Sequence, residues 1–191
     1  MASDAADIQG GWLTSARHLP SPNCDARPRG AVVDLVVIHG ISLPPGRFGG
    51  ECVEALFTNR LDVGRHPSFG DLDGLRVSSH LFIDRLGRLT QFVSFARRAW
   101  HAGVSSFEGR SRCNDYSIGI ELEGCDDVPY SELQYQALIR VLRLLMGHYP
   151  AITPARVVGH CHVAPGRKTD PGPAFDWIRL RSALRCPARE V

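Results

Sequence analysis

The sequence has little of what a membrane protein, a disulfide scaffold or a nucleic-acid coat requires. It lacks an unbroken apolar run of about 18 residues, the length that a membrane-spanning helix needs. Its six cysteines form no CxxC pair and no dense framework, so we expect free thiols. The charge excess is only +2, from 22 Lys+Arg and 20 Asp+Glu, and we therefore expect no nucleic-acid partner.

A secretory signal is also missing from the amino terminus. Residues 1–18 carry acids where a signal peptide needs basic residues, and no continuous apolar segment follows them. We therefore expect a cytoplasmic protein without membrane contact. Because the chain has 191 residues, a 43% hydrophobic fraction and no internal repeat, we predict one domain and a monomer.

Lysine is the scarcest charged residue. Lys168 is the only lysine among the 22 cationic side chains, and the others are all arginine. Arginine serves wherever a solvated positive charge suffices, whereas a compact ammonium and a planar guanidinium are not interchangeable. Lys168 is therefore either a residue whose function needs an ammonium group or a lysine that is present by chance.

The hydrophobic pattern predicts strands and helices that alternate along the chain. Strands are predicted over residues 32–40, 75–84, 89–95, 117–124 and 156–161. Helices are predicted over 51–59, 132–147 and 174–184. Ser131 and Gln134 form a capping-box pattern at the start of the second helix, and the second and third strands form a hairpin. The pattern predicts a single α/β (α+β) domain with a central mixed sheet.

Two histidines stand where apolar strands are predicted to end. These are His39 and His160, and the Pro- and Gly-rich segment 159–177 adds Asp170. Most single histidines are packed or solvated, which is the structural alternative for each. Catalytic zinc, however, uses three nitrogen or carboxylate ligands and leaves one position open, so the three residues are a candidate zinc set.

The residues next to His160 leave the ligand set open. On an extended backbone Cys161 points away from His160, whereas His162 points to the same side. We therefore expect Cys161 to be packed, and His162 remains a competing ligand.

Two acids lie on one face of the predicted strand 117–124. Strict alternation places Glu121 and Glu123 together, opposite the apolar face. A solvated sheet face is the structural alternative, but the flanking glycines and isoleucines favour an interior strand, where acids have a function. Metal-assisted hydrolysis needs an acid/base and an oxyanion donor, and Lys168 is the candidate donor.

Four long strings carry a family resemblance. They are LVVIHGISLPPGRFGG (35–50), RVSSHLFIDRLGRLTQFVSF (76–95), RRAWHAGVSSFEGRSRCNDYSIGIELEG (97–124) and GHCHVAPGRKTDPGPAFDW (159–177). The chain resembles the AmpD family, the cytosolic anhydro-N-acetylmuramoyl-L-alanine amidases of Gram-negative cell-wall recycling. These are zinc amidases that share a fold with peptidoglycan recognition proteins, a central mixed sheet flanked by helices.

The resemblance implies a role for each matching position. It implies one Zn²⁺ held by His39, His160 and Asp170. It implies Glu121 rather than Glu123 as the catalytic acid/base and Lys168 as the oxyanion stabiliser. The implied substrate contacts are Arg76, Trp100, Arg112 and Arg167. His80 and His101 match family histidines that are not ligands, and a structural role is expected for both.

The implied substrate is a small anhydromuropeptide. Its amide bond between the lactyl group of (1,6-anhydro-)N-acetylmuramic acid and L-alanine would be hydrolysed, with a link to the control of β-lactamase induction. The implied division of the chain is an N-terminal segment at 1–30 packed on the domain, the zinc amidase domain at 31–185 and a tail at 186–191.

Two positions depart from the family pattern. Gly40 stands where the family often has Asn, so a donor to the substrate is expected to be missing, and His162 replaces a common Asp. Three alternatives stay open: an amidase acting on intact wall, a peptidoglycan-binding module without turnover, and a structural Cys/His zinc site. The missing signal disfavours the first, the retained acid and ligands disfavour the second, and the spacing disfavours the third.

Overall fold

The computed structural model describes residues 7–185, in which strands and helices alternate. The strands are β1 (Ile8–Gln9), β2 (Trp12–Leu13), β3 (Arg17–His18), β4 (Cys24–Ala26), β5 (Leu35–Ile41), β6 (Leu81–Ile83), β7 (Leu89–Gln91), β8 (Arg97–Ala99), β9 (Ser106–Phe107), β10 (Arg110–Ser111), β11 (Ser117–Glu123) and β12 (Val157–Gly159). The helices are α1 (Cys52–Phe57), α2 (Glu132–His148), α3 (His160–Val163) and α4 (Trp177–Arg185). Short 3-10 helices lie at Val63–Arg65, Pro67–Leu72, Cys113–Asp115 and Pro154–Arg156.

A six-stranded sheet of order β12-β5-β11-β6-β7-β3 forms the centre of the molecule. β5 pairs in parallel with both β12 and β11, and β11 pairs in parallel with β6. β6 and β7 form the antiparallel hairpin. The sheet is therefore mixed, and the predicted fold class is confirmed.

One face of the sheet packs against the main hydrophobic core, and the other face carries His39. Val36 and Ile38 of β5 belong to a large apolar cluster with α2, whereas Leu35 and Val37 face a smaller cluster on the other side. Alternation then places His39 on the second face, away from α2. All seven residues of β11 are buried, so the prediction of an interior strand over 117–124 is confirmed.

Helix α2 begins at the predicted capping box. The Ser131 hydroxyl accepts from the backbone N–H of Gln134 at 3.1 Å, and the Gln134 side chain accepts from the backbone N–H of Ser131 at 3.0 Å. These two bonds satisfy amides that a helix end leaves without partners. The helix ends at His148, one residue beyond the prediction.

Several predicted elements are shorter than the pattern indicated; of the strand predicted over 89–95, for example, only Leu89–Gln91 is a strand. Of the strand predicted over 75–84, only Leu81–Ile83 pairs, because the hydroxyls of Ser78 and Ser79 bond to nearby backbone carbonyls and compete with a regular ladder. The last helix begins at Trp177 instead of 174, because the Asp176 side chain accepts from the N–H of Arg179 at 2.9 Å and caps it there.

The amino-terminal segment contacts the rest of the chain. Ile8 and Leu13 are buried in the large cluster, and β3 pairs with β7 at the sheet edge. The domain division at residue 31 stays a prediction, and the predicted tail at 186–191, with Cys186, lies outside the described residues. The other five cysteines are unpaired thiols, as expected. Within residues 7–185, no helix has the length and apolarity to span a membrane.

Candidate active site

Three potential ligands meet where strands β12 and β5 lie side by side. His39 lies within β5, two residues before its end, and His160 is the first residue of α3, directly after β12. Asp170 comes from the loop that follows α3, and its carbonyl accepts from the N–H of Cys161 at 3.0 Å. That bond ties the loop to the start of α3, so the backbone itself brings Asp170 beside the two histidines.

The ligand atoms form a nearly regular triangle. Nδ1 of His39 lies 2.9 Å from Nδ1 of His160 and 3.2 Å from Oδ2 of Asp170, and the third side is 3.1 Å. A tetrahedral zinc ion with bonds of about 2.0 Å requires roughly 3.3 Å between its ligand atoms. The triangle therefore fits zinc, and these three residues are the metal-ligand group found among residues 7–185.

The Nε2 atoms of His39 and His160, which point away from the triangle, also support zinc binding at Nδ1. Nε2 of His160 lies 3.2 Å from the backbone carbonyl of Ala102 and therefore carries the proton, which leaves its Nδ1 free as a ligand. Nε2 of His39 lies 2.9 Å from Nδ1 of His101. Ligating histidines in proteins show this kind of outer hydrogen bond.

The charge states suit a cation. Burial lowers the pKa of His39 to about 4, so its imidazole is neutral at pH 7. Burial by itself raises the pKa of Asp170, but the adjacent His160 and His39 side chains outweigh it and lower that pKa below its usual range. A neutral imidazole and an ionised carboxylate are the forms in which these groups bind metal.

His162 lies outside this group, and the strand predicted over 156–161 is shorter than predicted. The strand ends at Gly159, and residues from His160 onward form the helical turn α3. Alternation therefore does not apply, and His162 points elsewhere: its Nδ1 accepts from the N–H of Gly159 at 2.8 Å, and its ring lies 5.4 Å from that of Trp177. The hydrogen bond from Gly159 satisfies an amide at the helix start.

Glu121 is the acid that faces the triangle. It pairs with His39 in the β5–β11 register, and its Oε1 lies 4.0 Å from Nδ1 of His39. Its other oxygen, Oε2, is buried without a hydrogen-bond partner among the described residues. Burial raises the pKa of Glu121 well above its usual value, and the Asp170 charge adds to this. A carboxyl with a raised pKa is suited to take up and return a proton during the reaction.

Glu123 has a different environment, although it lies on the same face of β11. Its carboxylate accepts from the backbone N–H of Gly49 at 2.5 Å and from that of Arg85 at 3.0 Å. It therefore ties two loops to the sheet. The alternation of the strand places both acids on one face, and only the tertiary contacts distinguish them.

A cavity of about 260 Å³ opens over the triangle. Its lining includes the three potential ligands, Glu121 and Lys168. The Lys168 ammonium makes no hydrogen bond or ion pair with the part of the chain that is described. The cavity also has an apolar lining, which includes Leu43, Leu56, Phe57, Leu72, Leu75 and Val77.

Comparison with known proteins identifies the family. The profile of the N-acetylmuramoyl-L-alanine amidase family matches residues 29–173. The 1,6-anhydro-N-acetylmuramyl-L-alanine amidase AmpD of Salmonella typhimurium strain SL1344 is 55% identical over 174 residues, which cover 91% of this chain and 92% of that protein. The chain belongs to the N-acetylmuramoyl-L-alanine amidase family.

Solved structures of amidases share the architecture. A crystal structure of a selenomethionine derivative of AmpD is 53% identical, has a TM-score of 0.90, and covers 93% of this chain and 98% of its own. AmpDh3 from Pseudomonas aeruginosa in complex with an anhydromuramic pentapeptide is 31% identical with a TM-score of 0.64, covering 82% of this chain and 61% of its own. The family fold expected from the resemblance is confirmed.

The four predicted substrate contacts of this amidase are not among the residues that line the cavity. Arg76 is exposed, between two residues that line the cavity. The Trp100 side chain bonds to Asp25, and Arg112 pairs with Asp115 at 3.1 Å. Arg167 donates to the carbonyls of Ala102 and Val104 at 2.6 and 2.8 Å, next to His160. The substrate contacts therefore stay predictions.

Two family-related positions have contacts that the sequence does not reveal. A Cβ at Gly40 would lie 2.2 Å from the Tyr130 hydroxyl oxygen, which donates to the carbonyl of Pro171 at 2.9 Å. Tyr130 thus holds Pro171, the residue that follows the potential ligand Asp170. His101, for which the sequence suggests only a structural role, contacts His39 directly.

Proposed function

We propose that this chain is a zinc-dependent N-acetylmuramoyl-L-alanine amidase that releases L-alanine-linked peptides from 1,6-anhydro-N-acetylmuramic acid. The main support is the unpartnered, buried Oε2 of Glu121, which shares a cavity with the His39–His160–Asp170 triangle and Lys168. The anhydro preference is supported by the name of the 55% identical relative.

Each polar side chain of the cavity has a proposed task. His39, His160 and Asp170 hold the metal, and zinc when bound polarises the scissile carbonyl and activates the attacking water. Glu121 takes the proton of that water on Oε2 and then returns it to the departing L-alanine nitrogen. Lys168 donates a hydrogen bond to the oxyanion of the tetrahedral intermediate.

The substrate contacts rest on the resemblance. We propose that Arg76, Arg112 and Arg167 bind carboxylates of the stem peptide, since a guanidinium binds a carboxylate through two parallel hydrogen bonds. Trp100 contacts the same substrate. The apolar lining of the cavity suits the lactyl and alanyl methyl groups, because it consists of leucine, phenylalanine and valine side chains.

The proposed setting follows from the same resemblance. The protein acts as a monomer in the cytoplasm on recycled cell-wall fragments, with no nucleic-acid or membrane partner, and its activity is linked to the control of β-lactamase induction. The amidase domain comprises residues 31–185, with residues 7–30 of the N-terminal segment packed on it.

The test is a paired incubation of purified protein with anhydromuramoyl-tripeptide and with insoluble sacculi. We expect release of the peptide from the small substrate, loss of that activity with a chelator, and recovery with zinc. The Glu121→Gln variant is the matched control, because it keeps the triangle and removes the proton acceptor. Cleavage of sacculi alone would indicate an enzyme of intact wall, and binding without turnover would indicate a recognition module.

A further inference from the structure

A half-buried histidine lies next to the triangle of potential metal ligands and lines the same cavity. The ring of His101 meets that of His39 edge to face, with centroids 5.1 Å apart. Nδ1 of His101 lies 2.9 Å from Nε2 of His39, on the side of the imidazole that faces away from His160 and Asp170. The other nitrogen of His101, Nε2, lies 3.1 Å from the hydroxyl of Ser117. The three side chains form a chain of hydrogen bonds that ends at a potential metal ligand.

The direction of these hydrogen bonds decides what His39 presents to the metal. A neutral histidine ring carries one N–H and one nitrogen lone pair, and only the nitrogen with the lone pair binds a metal. If His101 accepts at Nδ1, then His39 carries its proton on Nε2 and its Nδ1 lone pair faces the triangle. If the bond runs the other way, His39 has a proton on Nδ1 and cannot bind metal there.

The backbone of β11 holds the His101 ring in this position. A Cβ at Gly119 would lie 2.5 Å from Cγ and 2.6 Å from Nδ1 of His101, so the ring rests directly on the strand where a side chain is missing. The ring of His80 lies 5.7 Å away on another side. Close packing of this kind prevents the ring from turning away from His39.

We propose that His101 is a positioning residue of the metal centre, which accepts the hydrogen bond from Nε2 of His39 and thereby keeps Nδ1 of His39 unprotonated and aimed at the metal. The proposal rests on the proposed function, because it presupposes that the triangle binds zinc. Outer partners of ligating histidines typically contribute 10–100-fold to metal affinity. His101 is expected to have an effect of about that size.

Two substitutions of His101 distinguish the effect of its hydrogen bond on zinc affinity from the effect of its packing. His101→Asn keeps an acceptor oxygen near the position of Nδ1, whereas His101→Leu fills space without an acceptor. Zinc affinity is measured by competition with a chromophoric chelator, and circular dichroism checks that both variants fold. We expect His101→Leu to bind zinc about 10–100-fold more weakly than the unmodified protein, and His101→Asn to recover most of that loss.

The histidine tautomers give a second readout that needs no variant. Long-range ¹H–¹⁵N NMR spectra of the zinc-free, ¹⁵N-histidine-labelled protein report which nitrogen of each ring is protonated. We expect a proton on Nε2 of His39 and on Nε2 of His101. A proton on Nδ1 of His39, or equal losses of affinity in both variants, would overturn the positioning role. Absence of zinc binding by the unmodified protein would overturn the proposed function instead.

Discussion

The chemistry of this amidase depends on which side chains are buried and on which of them have hydrogen-bond partners. Glu121 is buried with one oxygen lacking a partner, whereas Glu123, two residues away on the same face, accepts two backbone hydrogen bonds. An unpartnered buried carboxylate is costly and is retained at functional sites, whereas a satisfied one stabilises loops. The same residue type therefore has two roles within one strand.

The metal ligands give the first prediction at this scale. The Nδ1 atom of His39 is one corner of the triangle, so His39→Ala should remove both bound zinc and amidase activity. Metal content by atomic absorption and turnover of anhydromuramoyl-tripeptide check this. Stoichiometric zinc in the variant would show that the ligand set is wrong.

The two acids give the second prediction. Glu121→Ala should keep zinc and lose about 10²–10⁴-fold in kcat, the range typical of a positioned acid/base. Glu123→Ala should instead lower the free energy of unfolding, because the amides of Gly49 and Arg85 lose their acceptor. Steady-state kinetics and urea unfolding are measured on both variants. Equal losses of kcat would contradict the assignment of one acid/base.

The lone lysine gives the third prediction. The Lys168 ammonium lines the cavity and is available to the oxyanion, and a guanidinium is larger and spreads its charge over a plane. We expect Lys168→Arg and Lys168→Ala both to lower kcat by about 10²–10³-fold. Because Asp170 is two residues away, zinc content is measured in each variant first. Near-normal turnover by Lys168→Arg would show that any positive charge suffices at this position.

At the scale of elements, the site is built by neighbouring parallel strands. β12, β5 and β11 lie side by side, so the end of β12, His39 in β5 and Glu121 in β11 converge at one edge of the sheet. The other face of the same strands packs on α2. Helix α2 therefore stabilises the sheet from the face opposite the candidate active site. Substitutions at the first residues of α2 should lower the free energy of unfolding without changing kcat.

The capping box of α2 gives the fourth prediction. The Ser131 hydroxyl accepts from the N–H of Gln134 and donates to the carbonyl of Arg85 at 2.7 Å. Ser131→Ala should lower the free energy of unfolding by about 1 kcal/mol and leave kcat unchanged. Ser106→Ala, at an exposed strand position, is the control and should change stability by less than about 0.5 kcal/mol. A stability loss confined to the control would contradict the capping role.

At the scale of the whole molecule, the metal would connect segments that are distant in sequence. His39 lies in β5, whereas His160 and Asp170 lie more than a hundred residues later. A ligand that binds only the folded chain shifts the folding equilibrium toward it. Zinc is therefore expected to stabilise the global fold as well as to serve the reaction.

Metal removal gives the fifth prediction. With free zinc at 100 times its Kd, the gain is about 2.7 kcal/mol, and the Tm should rise by roughly 5–10 °C for a chain of this size. Differential scanning fluorimetry with and without chelator measures the shift. His39→Ala is the matched control and should show no response to zinc. An equal response in that variant would place the stabilising zinc elsewhere.

The sequence by itself determines the features that arise from local periodicity and chemistry. The alternating strand 117–124, the capping box of α2 and the mixed-sheet fold class follow from residues that are close along the chain, because side-chain direction repeats with the backbone. The long motifs around His39, Glu121 and Lys168 identify the family for the same reason: each motif is continuous in sequence.

Only the tertiary structure decides which neighbours each side chain meets. His162 lies outside the ligand triangle because the chain turns into α3 at His160, and Glu123 differs from Glu121 because two loops reach it. His101 contacts His39 although 62 positions separate them. Local periodicity contains no information about contacts across such distances, since they arise only when strands pair and close packing brings remote segments together.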